Sequence, residues 1–277
     1  MRWFALLEGR IKLSQLSSWS LAVCCLALLS QSSVAEELES DNAKMAKQLA
    51  NKIEPIANLP VQFNFYQKAG AQHQQYQEKI ILQPVIPAPI TADWNLLFRP
   101  MVAANLQYQA GTVTNESSPI QFEAFLSPSK KSDFSWGVGP YFQTPGTGLS
   151  NGSNQYGAGV SVAAFYKPGH WVMGIIGYNS WAIGGPTTNG TANVFYAVPQ
   201  ISYITESAWT WTASMQPTFN YNARNTSNPF LLLAAKTTTV FGVPLQVQAG
   251  PSYMMSTTST SGQGLGFRVQ LTTALPK

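Results

Sequence analysis

Beyond its first 35 residues the 277-residue chain has no cysteine, because Cys24 and Cys25 are its only two. That removes a disulfide, a thiolate metal site and a thiol nucleophile from the remainder. Histidine is nearly as scarce: His73 and His170 are the only two, too few and too far apart for a structural zinc ligand set. No Gly-rich phosphate loop occurs, and the three aspartates past residue 35 (Asp41, Asp93 and Asp133) are scattered. No cofactor or metal is therefore expected. Charged residues make up only 10% of the chain, against about 25% in an ordinary soluble domain. Yet mean hydropathy is −0.04, and after the N-terminus no apolar run approaches the roughly 18 residues of a membrane-crossing helix. Few charges without a helical span leave the composition of a barrel that crosses a membrane with strands.

What is present begins with a secretory leader. Arg2, Arg10 and Lys12 form a positive region, Leu21 to Leu29 an apolar core, and Ser33-Val34-Ala35 a small-residue cleavage site before Glu36. Val23, rather than a small residue, precedes the cysteines, which argues against a lipoprotein. Without residues 1–35 the chain keeps 13 basic and 11 acidic residues, a net charge of +2. No basic patch suggests nucleic acid.

From Trp209 to Tyr221 the side chains alternate: Trp209, Trp211, Ala213, Met215, Phe219 and Tyr221 on one side, Thr210, Thr212, Ser214, Gln216 and Asn220 on the other. Strand side chains point alternately to opposite faces, so this is a strand with one apolar and one polar face. A run of about 13 residues is long for a soluble sheet and suits a tilted membrane strand. The same two faces recur at Leu245, Val247 and Ala249 against Gln246, Gln248 and Gly250, and at Phe267, Val269 and Leu271 against Arg268, Gln270 and Thr272. The spans read as strands are 61–66, 75–86, 93–105, 119–127, 133–143, 155–167, 170–182, 193–205, 208–222, 228–239, 243–256 and 263–275.

The connections alternate in kind. Pro87 to Thr91, Pro128 to Ser132, Pro168-Gly169, Thr205 to Ser207 and Phe241-Gly242 are short; Gln107 to Ser118, Thr144 to Asn154, Gly184 to Asn193 and Ser256 to Gly262 are longer and polar. Outer-membrane barrels have short periplasmic turns and long external loops; a soluble sandwich gives no reason for the regularity. The fold expected is all-β, an antiparallel transmembrane β-barrel of about 12 strands with a short N-terminal helix. Residues 1–35 are the signal peptide, 36–59 a periplasmic or plug helix, and 60–277 the barrel in the bacterial outer membrane. In the helix Leu38, Met45, Leu49 and Ile53 recur at helical spacing until Pro55 and Pro60; docking near the periplasmic mouth is the expected placement. Trp94, Trp136, Trp171, Trp181, Trp209 and Trp211 fall near strand ends, where aromatic girdles belong.

These segments resemble a bacterial outer-membrane family. The motifs are Ile56-Ala57-Asn58-Leu59-Pro60-Val61-Gln62-Phe63-Asn64, Gln83-Pro84-Val85-Ile86-Pro87 with Asp93-Trp94-Asn95-Leu96, Leu126-Ser127-Pro128, and Trp136-Gly137-Val138-Gly139-Pro140. Tyr156-Gly157-Ala158-Gly159, Ala208-Trp209-Thr210 and Gly266-Phe267-Arg268 continue the order. Members are labelled transporter, putative MetA-pathway of phenol degradation or, mistakenly, neuromedin U. The resemblance covers most of residues 46–277 and implies a barrel passing small, often apolar or aromatic molecules; it supplies no catalytic residues. Glu54 stands where relatives more often carry Asn, and the sequence closes on Leu275-Pro276-Lys277 rather than an aromatic residue.

Function is expected in the lumen. Lys79, Gln83, Arg99, Glu123, Gln216, Asn220, Gln246, Gln248, Arg268 and Gln270 have the polar parity of their strands. A charge facing hydrocarbon at mid-depth costs about 2–4 kcal/mol, which drives Lys79, Arg99 and Arg268 inward. Two readings stay open: a weakly cation-lined path for neutral or anionic solutes, or a barrel filled by Glu123 pairing with Arg99 or Arg268. The first makes the protein a passive channel for small molecules, gated by the N-terminal segment or by Thr144 to Asn154. The second makes it a closed structural or partner-binding barrel. The expected partners are outer-membrane lipid, a small-molecule solute and, during biogenesis, the barrel assembly machinery. An enzyme is not expected: Gly159-Val160-Ser161-Val162-Ala163 lacks the final glycine of a nucleophile elbow, and neither histidine has a catalytic setting.

Overall fold

The computed structural model describes residues 36–69, 75–109, 112–130, 132–146, 154–185, 192–256 and 262–275. The leader, the His73 segment and most of the Thr144 to Asn154 loop lie outside the described residues. A helix, α1 (Glu36–Ala50), precedes fifteen strand segments. In chain order they are β1 (Asn58–Ala69), β2 (Gln75–Leu82), β3 (Ile86–Pro89), β4 (Trp94–Gln109), β5 (Thr112–Ser117), β6 (Gln121–Pro128), β7 (Phe134–Gln143) and β8 (Tyr156–Tyr166). There follow β9 (Trp171–Gly184), β10 (Val194–Ile204), β11 (Trp209–Met215), β12 (Thr218–Asn220), β13 (Asn225–Val240), β14 (Val243–Ser256) and β15 (Gly264–Ala274).

The fifteen segments form twelve antiparallel barrel strands, because β2 with β3, β5 with β6, and β11 with β12 are single strands interrupted once. Each interruption holds a proline (Pro84, Pro119 or Pro217). Proline has no N–H for the ladder, so the pairing skips there. Neighbouring amides bridge the gaps: Gln83 N donates to Pro60 O at 3.3 Å, Ser118 N to Ala103 O at 2.9 Å and Gln216 N to Pro229 O at 3.0 Å. The sheet closes where β1 meets β15, from Asn58↔Ala274 to Tyr66↔Gly266. Closure gives every strand two neighbours, the condition for crossing hydrocarbon without orphan backbone groups.

Two connections differ from the sequence reading. The expected external loop from Gln107 to Ser118 is mostly strand: β4 continues to Gln109 and β5 pairs back on it from Gln109↔Thr112 to Ala104↔Ser117. The expected turn from Pro87 starts later, because β3 pairs with β4 from Ile86↔Phe98 to Pro89↔Asn95.

Alternation sorts the two faces. Val102, Val138, Val162, Ile175, Ile201 and Leu232 stand exposed on the outside all round the barrel. So continuous an apolar belt belongs against lipid. Below it, Trp94 and Trp136 meet edge to face at 6.0 Å, Trp171 and Tyr203 lie 4.9 Å apart, and Trp209 stacks on Trp211 at 6.2 Å. At the other rim Tyr76, Tyr156, Trp181 and Tyr253 are exposed. These are the two aromatic girdles. Lys236 faces outward low on β13; its ammonium donates to Ser207 O and lies 5.7 Å from the Trp209 ring centre. A long stem carries that charge from the apolar belt to the interface. The tightest of these turns, Phe241-Gly242, has φ of 50° and 80°, the left-handed pair that a two-residue hairpin requires.

Candidate functional site

The inward face is not uniformly polar. Leu97 shares its strand parity with Arg99, and Phe125 with Glu123, yet both are fully buried. With Ala163, Phe165, Val172, Ile176 and Ile204 they enclose Ala46, Ala50 and Ile53. The N-terminal segment is therefore inside the periplasmic half of the lumen, deeper than docking at the mouth. Its apolar stripe finds a dry surface there within an otherwise polar-lined barrel.

Polar contacts fix it at several points. Thr239 Oγ1 donates to Asn42 Oδ1 at 2.9 Å, and Lys47 Nζ to Gly169 O at 2.7 Å. Gln200 Nε2 donates to Ala50 O at 2.8 Å, satisfying a carbonyl left open at the helix end. Past the helix, Asn51 Nδ2 donates to Ser135 Oγ at 3.0 Å, and Glu54 pairs with Lys167 at 2.9 Å. That pair gives the unusual Glu54 its place. The helix rests against β9, β10, β11, β13 and β14.

Above the plug the lumen becomes charged. Arg99 and Glu123, cross-strand neighbours on β4 and β6, form a buried ion pair at 2.9 Å. Arg268 is buried on β15, with Nε donating to Asn64 Oδ1 at 2.5 Å and Nη2 to Gln216 Oε1 at 3.0 Å. Lys79, on β2, lies within electrostatic reach of Arg268. Lys52, from the segment after α1, joins the same layer. Burial, and then the charges of Arg99 and Arg268, lower its ammonium to a pKa of about 8. Beside these cations Tyr141 stacks on Tyr178 at 3.8 Å, and Tyr178 meets Tyr196 at 5.2 Å.

The sequence candidates separate into groups. Arg99 pairs with Glu123, Arg268 bonds Gln216, and Lys79 neighbours Arg268 across Asn64 by register. Gln246 Nε2 bonds Thr237 Oγ1 at 3.0 Å and Gln270 Nε2 bonds Thr272 Oγ1 at 2.9 Å, while Gln248 is buried beside Gln270 by register. Gln83 is half-buried at the β2–β3 interruption. Asn220 belongs to a turn instead, its Oδ1 accepting from the amides of Asn222 and Ala223. Lys52 and the three tyrosines were not among the candidates. The signal was an inconsistency: apolar and aromatic residues at positions of polar parity.

His170 and Ser207 share a shallow recess of about 440 Å³ at the periplasmic rim with Tyr203, Thr205 and Glu206. His170 Nδ1 lies 2.9 Å from Ile204 O, and Ser207 Oγ lies 3.0 Å from Thr205 Oγ1. His170 is held by the end of the neighbouring strand and Ser207 by its own turn, and the two form no base–nucleophile pair. Ser161 lies mid-strand in β8, not on a nucleophile elbow.

No family model and no curated protein matches the chain. Solved structures do. The COG4313 outer membrane channel from Pseudomonas putida F1 aligns with a TM-score of 0.57 at 14% identity, over 81% of this chain and 96% of that one. The NanC porin aligns at 0.49 and 10% identity, over 79% and 100%. The KdgM porin aligns at 0.43 and 9%, over 79% and 99%. At 14% identity the likeness to the first of these is one of fold, and together with the lipid-facing belt it makes the chain a transmembrane β-barrel of the bacterial outer-membrane type.

Proposed function

We propose that the protein is a passive outer-membrane channel for small molecules, held closed by its N-terminal segment. The observation that carries this reading is that the barrel is complete without the plug. The β1–β15 ladder closes from Asn58 onward, so α1 contributes nothing to sheet closure. A removable element inside a closed, polar-lined barrel is a gate by construction. The resemblance to the transporter and phenol-degradation family supports a small, apolar or aromatic cargo; the charged layer adds a requirement for polarity at one end of such a molecule. The leader at 1–35, delivery to the outer membrane by the barrel assembly machinery and a lipid environment belong to the same proposal.

A second reading, a closed structural barrel, draws on the buried Arg99–Glu123 pair and the plug that fill the lumen. A disulfide separates the two. Asn42→Cys with Thr239→Cys places thiols where a 2.9 Å contact now stands, in a chain otherwise free of cysteine after residue 35. The channel reading expects the oxidised variant to be silent in a planar bilayer and reductant to restore conductance. Equal conductance in both states contradicts gating by this segment.

A further inference from the structure

The charges in the middle of the lumen do not balance. Four cations (Lys52, Lys79, Arg99 and Arg268) are set against one carboxylate, Glu123, which Arg99 already occupies; Arg268 and Lys79 flank Asn64 on adjacent strands, and Lys52 lies within electrostatic reach of both arginines. Arg268 is met only by the neutral amides of Asn64 and Gln216. Neither Lys52 nor Lys79 has a hydrogen bond or ion pair to the described protein. Arg99, 6% exposed, keeps its Nε without an acceptor, so the guanidinium edge away from Glu123 is unsatisfied. Like charges gathered in a low-dielectric space repel, and the half-buried Lys52 and Lys79 have no described partner to offset that repulsion. Among the described residues the protein supplies Lys52, Lys79 and Arg268 no carboxylate partner. An anion would supply one.

We propose that this layer is a binding station for a small solute bearing a carboxylate, held between Lys52 of the plug and Lys79, Arg99 and Arg268 of the wall. A carboxylate can accept a charge-assisted hydrogen bond from Arg268, whose Nε and Nη2 are engaged by Asn64 and Gln216 and whose Nη1 has no acceptor among the described residues. Lys79, on the wall between the strands of Arg268 and Arg99, and Lys52 from the plug add ammonium groups that demand no fixed direction. The station spans the plug–wall junction, so its occupant bridges moving and fixed parts and strengthens their contact by removing repulsion. This deepens the channel reading by naming the solute class. Binding is measured independently of conductance, so each reading can fail alone.

The test is calorimetric titration of the refolded full-length mature chain in detergent with benzoate, its neutral isostere benzamide, and inorganic phosphate. Benzoate should bind with one site per chain and benzamide should not. Lys52→Gln and Lys79→Gln, which break no protein contact, should each weaken benzoate about tenfold, the effect of one hydrogen bond to a charged group. Lys130→Gln, on an exposed turn, should leave it unchanged. Equal binding of benzoate and benzamide overturns the proposal, as does benzoate binding indifferent to Lys52 and Lys79. Phosphate bound at least as tightly as benzoate overturns the carboxylate assignment. No heat with any of the three overturns the site.

Discussion

The two halves of the lumen are lined by positions of the same strand parity, yet they are built from opposite chemistry. Toward the periplasm the inward side chains are Leu97, Phe125, Phe165, Val172 and Ile204, and they close on the plug. One step higher on the same strands stand Arg99 and Glu123, with Arg268 across the lumen. Parity decides whether a side chain faces lipid or lumen. It does not decide what the lumen holds. Apolar residues at inward positions are the footprint of something apolar inside, and here that is the stripe Ala46, Ala50 and Ile53.

The sharpest break in this comparison is expected at the ion pair. Arg99→Met leaves Glu123 buried and alone, and should destabilise the barrel by about 3–5 kcal/mol in denaturant unfolding. Arg99→Met with Glu123→Met should recover most of that loss. Recovery of none would mean that the pair is not an isolated unit.

Next in size is the outer face. Leu232→Arg puts a charge into the lipid belt midway along β13, at an expected cost of about 2–4 kcal/mol in a bilayer. An uncharged polar change at an inward position, Gln248→Asn, should cost much less. If the two are equal, the assignment of faces is wrong.

A smaller global effect with a large local one is expected at the plug. Ala50→Asp buries a carboxylate in the apolar cluster and should eject the helix. Conductance should rise while the barrel's unfolding midpoint stays nearly constant. A parallel collapse of the barrel would make the helix part of its core rather than a plug.

The smallest effect concerns pH. Lys52, lowered to about 8 by burial and then by Arg99 and Arg268, is charged below that pH and neutral above it. Arg99, Arg268 and Lys79 face it from the wall, with Glu123 among them and Glu54 nearby on its own segment. Carboxylate affinity should therefore fall as pH rises through about 8, and Lys52→Arg should abolish the decline. A decline that persists in the arginine variant would assign the titration elsewhere.

Most of the barrel was legible because a lipid-facing strand must alternate and an outer-membrane connection must alternate in length. What escaped has physical causes. β5 carries Thr112, Thr114, Asn115 and Ser117 and reads as loop, because a run of small polar residues shows no apolar alternation. Pro87 and Pro89 read as a turn although β3 pairs with β4 there, because strand pairing through proline depends on which edge is bonded. In the site, Arg99, Glu123 and Arg268 could be placed by parity. Lys52 could not, because parity says nothing about where a helix comes to rest inside a barrel. Its position follows from the apolar stripe of α1 meeting Leu97 and Phe125, a match visible only once both are seen facing the same space.

The central claim is that a complete barrel is closed by a separable plug. Single-channel conductance of the refolded mature protein in a planar bilayer, with and without residues 36–55, tests it most directly. The account predicts small or intermittent conductance in the full chain and a steady, larger conductance after removal. Silence in both forms, from protein shown to be folded by its heat-modifiable barrel, would contradict it.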